Sequence, residues 1–167
     1  MEQTVPALII AAIMIAAGVL LADVTTDSVS TFSESWRQVE AIAEDRLGTD
    51  LSITNTAVGG GGAEITFDVL NNGRTPIDDF DDVDLIISYD GTDLNRYAVW
   101  LPFNEDVSQP DNTWQVTSFL NDYHNIGVLD MGERMSVRIK LNPPTDVGPD
   151  RWFVLATETG VSYTVYY

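Results

Sequence analysis

The groups that could do chemistry are few, and their spacing assembles no reaction. The chain of 167 residues has no cysteine and one histidine, His124. Thiolate nucleophiles, thiolate metal sites and disulfides are therefore excluded, and a lone imidazole leaves little for Ser-His-Asp chemistry or a zinc site. The densest carboxylates are Asp78, Asp79, Asp81, Asp82 and Asp84. Among them Asp79, Asp81 and Asp82 are the weak candidates for a hard cation such as Ca²⁺, which takes oxygen ligands. The run lacks the glycine and terminal glutamate that fix a calcium loop, so a solvated acidic loop without metal is expected. Gly59–Gly62 lacks the helix start and the Lys-Ser/Thr of a phosphate cradle and reads as a hairpin loop. No position reads Asn-X-Ser/Thr, so no N-linked glycan is expected. Nothing combines a nucleophile, a base and an orienting group. The expectation is a protein that is not an enzyme and carries no cofactor.

Charge divides the chain. There are 26 acidic residues against 8 basic ones, a formal net of -18, and Lys140 is the only lysine. A surface this negative repels phosphate backbones, which disfavours a nucleic-acid partner. Glu2 is the only ionisable side chain before Asp23, so an apolar head precedes an acidic body.

The head, Val5 to Ala22, is 18 residues long, at the lower edge of the roughly 20 that span a bilayer. Pro6 suits the first turn of a helix. Apolar residues surround the whole helix, so it must be buried on every side, in lipid or among other helices. Burying its large side chains would contribute on the order of 15–30 kcal/mol before entropy costs. A signal peptide is one reading, although no Lys or Arg precedes the run. A plain membrane anchor and a globular core helix are two others. The fourth is a helix that packs against copies of itself. Small residues four apart (Ala7 and Ala11, Ala12 and Ala16, Gly18 and Ala22) would let backbones approach closely, although alanine is also simply common in such helices. On this fourth reading Val5, Leu8, Ile9, Ala12, Ile13, Ile15, Ala16, Val19 and Leu20 are the polymerisation residues.

From Asp23 to Arg46 there is no Pro or Gly, and the apolar residues Phe32, Trp36, Val39, Ala43 and Leu47 fall on one helical face. Phe32, Trp36, Val39 and Leu47 are expected to pack on the outer domain, and Gly48 to end the helix. A continuous helix from Pro6 to Leu47 would run roughly 60 Å. Strands are then expected at Asp50–Asn55, Glu64–Leu70, Asp84–Tyr89, Arg96–Leu101, Trp114–Phe119, Arg134–Leu141, Trp152–Thr157 and Ser162–Tyr166, separated by Gly-, Asn- and Pro-rich turns. The fold class is therefore α+β. A long N-terminal helix over 1–47, apolar over 1–22 and amphipathic over 23–47, leads into an immunoglobulin-like all-β sandwich over 48–167. The aromatics of the β-domain are expected mostly in its core, with some left for contacts between subunits.

An apolar helix that turns polar and enters an all-β domain resembles the archaellins, filament proteins of the archaeal swimming organelle within the type IV pilin-like superfamily. Arg46-Leu47-Gly48-Thr49-Asp50-Leu51-Ser52-Ile53 is similar to their helix-to-strand junction. Ile65 to Thr75, ending in Asn72-Gly73-Arg74-Thr75, resembles a family strand, and Leu85 to Gly91 the next; the likeness covers Met1 to Gly91. Val5 stands where bacterial pilins of the superfamily carry a glutamate. The resemblance implies a precursor with a basic leader, insertion in the cytoplasmic membrane, and assembly of many copies into an extracellular helical filament. It also implies motor and platform proteins at the base as partners. Within the same plan an accessory, stator-like subunit is the alternative. A membrane-anchored adhesive or ligand-binding sandwich is a further one.

Overall fold

The computed structural model describes residues 14–15, 31–148 and 150–167. The chain divides into two compact units, Met1–Ala43 and Glu44–Tyr167. Met14 and Ile15 are helical, and helix α1 covers 31–48. The remainder of the expected apolar helix, and with it Val5, Leu8, Ile9, Ala12, Ile13, Ala16, Val19 and Leu20, lies outside the described residues. Among the described residues no helix is long and apolar enough to cross a membrane.

The second unit holds eight strands: β1 (Leu51–Gly59), β2 (Glu64–Asn71), β3 (Asp84–Asp90), β4 (Arg96–Leu101), β5 (Thr113–Leu120), β6 (Arg134–Lys140), β7 (Trp152–Ala156) and β8 (Ser162–Tyr166). Each expected strand is present. The largest difference is β1, which continues four residues past Asn55 to Gly59. Asn55 adopts a positive φ of 56°, a conformation asparagine tolerates, and the ladder shifts register between Thr54 and Ala57. A bulge thus carries the strand through what the sequence presents as its end.

The strands form two antiparallel four-stranded sheets, ordered β1-β2-β6-β5 and β4-β3-β7-β8. Relabelled in chain order, these are the ABED and C′CFG sheets of the immunoglobulin plan. Strict alternation explains how the sheets close on each other. Ile65, Phe67 and Val69 of β2 and Met135, Val137 and Ile139 of β6 face inward from one sheet. Leu85, Ile87 and Tyr89 of β3 and Phe153 and Leu155 of β7 face them from the other. The two layers meet where Phe67 stacks on Phe153, with ring centroids 4.5 Å apart.

The acidic run has a structural reason for part of its composition. Phe80 is buried and packs among Phe103, Trp114 and Phe119. Phe80–Asp82 is a single 3₁₀ turn, and Asp79 caps it by accepting from the Asp81 amide at 3.2 Å. Exposed aspartates therefore flank an aromatic plug.

Candidate functional site at the helix exit

The last turn of α1, residues 44–48, belongs to the same unit as the sandwich. A helix end leaves its final carbonyls without intrahelical partners, and here the turn after β2 supplies them. The Gly48 carbonyl accepts from the amides of Arg74 (2.8 Å) and Thr75 (3.2 Å). The Asp45 carbonyl accepts the hydroxyls of Thr49 (2.8 Å) and Thr75 (3.0 Å). Asp50 in turn accepts from the amides of Asn72 and Gly73.

Glycine is required at both sides of this contact by closeness, not by backbone handedness. A Cβ on Gly48 would collide with the Thr75 hydroxyl, and a Cβ on Gly73 with the Gly48 carbonyl. The expectation that Gly48 ends the helix holds, but its φ is not positive. The left-handed cap is replaced by a side chain and two amides arriving from β2.

Asn71 holds the turn from beneath. It is fully buried, donates to the carbonyls of Thr75 and Leu129 (both 2.9 Å) and accepts from the Gly73 amide (2.9 Å). The β7–β8 connection closes the other side. Thr49 contacts Thr159 through their hydroxyls at 3.1 Å, and Arg46 donates to the Gly160 carbonyl at 3.2 Å. The Tyr163 hydroxyl accepts from the Leu51 amide at 3.0 Å. Arg74 also pairs with Glu44 at 3.2 Å. Both side chains are exposed, so this pair adds little.

Electrostatics near the exit are unfavourable. Burial, reinforced by the charges of Asp78, Asp79, Asp82 and Asp45, raises the Glu158 carboxyl above its ordinary value. Asp79, Asp81 and Asp82 are exposed. Among the described residues no group of three or more histidines or carboxylates is arranged to hold a metal ion. His124 is exposed in the β5–β6 connection.

The expected contacts of α1 divide. Leu47 is 87% exposed, so its expected packing on the sandwich is corrected. The turn is held by backbone carbonyls and hydroxyls, which leaves the Leu47 side chain pointing to solvent. Phe32, Trp36 and Val39 are each more than half exposed. The rings of Phe32 and Trp36 meet edge to face at 5.9 Å, and with Ser35 and Val39 they line a shallow apolar hollow. Ile15 is exposed as well. The roles of Asn71, Thr49, Thr159 and Tyr163 were not legible in sequence. In sequence Asn71 reads as a turn residue and Tyr163 as a strand aromatic, and neither type says that it meets the helix end.

A helix whose end is clasped by an immunoglobulin-ordered sandwich defines a class of helix-plus-head proteins. The family model for archaeal-type flagellin matches residues 7–167, and the chain belongs to that family. Among solved structures it is similar to the archaellum periplasmic stator protein FlaG from Sulfolobus acidocaldarius, at 17% identity and TM-score 0.51. That match covers 71% of this chain and 99% of the other. The same identity, score and share of this chain recur with the stator protein complex of FlaF and FlaG from that organism, there over 89% of the matched chain. Archaeal flagellin FlaB1 from Methanocaldococcus jannaschii matches at 14% identity and TM-score 0.49, over 71% of this chain and 88% of that one. No curated protein matches.

Proposed function

We propose that this chain is the structural subunit of an archaellum-type swimming filament. Its apolar N-terminal segment is the polymerisation helix, and its sandwich is the outer domain. The observation that carries the reading is the extent of the family match. It starts at residue 7, inside the apolar head, and runs through the last strand, so head and body belong to one design.

The physical logic is an exchange of solvents. Before assembly the apolar helix sits in the cytoplasmic membrane; after assembly it sits among identical helices, and burial is kept throughout. Packing in lipid gains from close backbone approach, which the small residues at Ala12 and Ala16 permit. Contacts of this head-to-tail kind generate an open helical polymer. The clasp at the exit lets torque or tension on the helix reach the outer domain through hydrogen-bonded backbone. Motor and platform proteins at the filament base are the remaining partners, and the finished filament is extracellular.

A second reading is an accessory, stator-like subunit, favoured by the likeness to FlaG over nearly the whole of that chain. At 17% identity that likeness establishes the fold alone. Electron microscopy of the purified full chain after detergent removal separates the two. Filaments are expected; a uniform field of dispersed monomers or small oligomers contradicts the filament reading.

A further inference from the structure

The clasp at the helix exit contains the only Asn-Gly step in the chain, Asn72-Gly73. Such a step carries its own reactivity, because glycine has no side chain to obstruct attack by its amide nitrogen on the asparagine side chain. The Gly73 nitrogen bonds to Asn72 Cγ, the bond from Cγ to Nδ2 breaks, and the Gly73 amide proton leaves with that nitrogen as ammonia. The product is a five-membered succinimide. Water then opens it at one of its two carbonyls. One opening gives aspartate; the other gives isoaspartate, in which the main chain runs through the former side chain.

The folded clasp holds each participant in this reaction. The Gly73 amide, which must give up its proton to attack, donates to the Asp50 carbonyl at 3.0 Å and to Asn71 Oδ1 at 2.9 Å. Gly73 is buried, and the backbone of Gly48 and Asp50 fills the space where its Cβ would stand. Asn72 is tied at both of its nitrogens. Its backbone amide donates to the Asp50 carbonyl at 2.8 Å, and Nδ2, the leaving group, donates to the Ser52 hydroxyl at 2.6 Å.

We propose that Asn72 is a self-modification site gated by the clasp, protected while the helix end is held and deamidated when the clasp opens. The inference rests on the geometry of the exit and not on the filament reading. Isoaspartate makes the opening irreversible. It inserts one methylene into the main chain just ahead of Gly73. The Gly48 carbonyl takes the amides of Arg74 and Thr75 at 2.8 and 3.2 Å, and a lengthened backbone one residue upstream displaces both. Either product also adds a carboxylate to an exit that already holds Asp45, Asp78, Asp79 and Asp82 around Glu158. A clasp that has opened and reacted therefore does not close again.

Trypsin releases Asn72 in one peptide, Leu47–Arg74, with Asn55 and Asn71 beside it as internal controls. The full chain is aged at neutral pH in detergent, with and without urea. Conversion is followed by peptide mass spectrometry with fragmentation that separates aspartate from isoaspartate. Conversion at Asn72 is expected to be more than about tenfold slower in the folded chain than in urea, because a bonded turn must first open. Thr75→Val loosens the clasp and leaves the Asn-Gly step intact, so it should speed conversion of the folded chain about fivefold, the population change for one lost hydrogen bond. Phe67→Ala, which weakens the seam between the sheets instead, should speed it less. Equal rates with and without urea, or a larger acceleration by Phe67→Ala than by Thr75→Val, overturn the gate. The isoaspartyl fraction, separated by anion exchange, is expected to show faster hydrogen exchange at the Arg74 and Thr75 amides. Unchanged protection there overturns the irreversible opening.

Discussion

The hydroxyl of Thr75 donates to the carbonyl of Asp45 at 3.0 Å, joining the turn after β2 to the last turn of α1 across 30 positions of sequence. One side chain thereby caps a helix from outside, and Gly48 and Gly73 are glycines so that it can get there.

Disturbing this contact should scale with sterics. Thr75→Val removes one hydrogen bond and leaves the Asp45 carbonyl its Thr49 partner, so a loss of about 1 kcal/mol is expected. Gly73→Ala forces a methyl into the Gly48 carbonyl, with an overpacking cost of about 1–3 kcal/mol. Urea titration of both variants checks the order. A Gly73→Ala chain as stable as wild type would show that the turn is not held against the helix end.

The seam between the sheets is tested at its centre. Phe67 and Phe153 are buried and stacked, so Phe67→Ala should cost about 3–5 kcal/mol. Chemical denaturation at neutral pH measures it. A change within experimental error would mean that the two sheets do not close over this pair.

Two carboxylates make opposite predictions for pH. Glu158 has its pKa raised by burial and neighbouring acids, so its contribution to stability is present below the ordinary glutamate value and lost as pH rises through the folded value. Glu158→Gln should therefore raise the melting temperature at neutral pH and change nothing in acid. Asp68 has its pKa lowered, chiefly by the hydrogen bond from Asn55 at 2.7 Å and also by Ser136 and Arg134. Its contribution is present above the ordinary aspartate value and lost as pH falls through the lower folded value. Asp68→Asn should be destabilising at neutral pH and converge on wild type in strong acid. Melting curves from pH 2 to 7, a range set by the ordinary carboxylate values, check both signs.

Assembly and folding should separate in the apolar head. Ile13→Asp or Leu20→Lys places a charge in the apolar head, which on the proposed filament reading is a helix needing apolar surroundings on every side. Neither variant is expected to pellet as polymer, while the β-sheet circular dichroism signal persists. Normal filaments from either one would contradict the role given to this segment.

Most of the sandwich was legible because alternation is a strong signal where one face of each strand is buried. Ile65-Thr66-Phe67-Asp68-Val69 and Met135 to Leu141 show it residue by residue. The end of β1 was not legible, because Asn55 reads as the last residue of the strand and in fact lies at a bulge within it. The exit clasp was half legible. Asn72-Gly73-Arg74-Thr75 could be matched to a family pattern, but its partner is a carbonyl, and carbonyls leave no mark on sequence. Leu47 shows the opposite failure. Helical periodicity in the sequence groups it with Phe32, Trp36 and Val39, yet periodicity alone does not say what such a face meets. Which aromatics leave the core was not legible for a related reason. Trp100, Trp152 and Tyr166 look like core residues until register turns them outward.

The most direct test is an atomic map of the native assembly, read at the side chains of Val5, Leu8, Ile9, Ile13, Ile15, Val19 and Leu20. The expected map has them in van der Waals contact with the same segment of neighbouring copies. A map in which they touch only lipid tails would contradict the account.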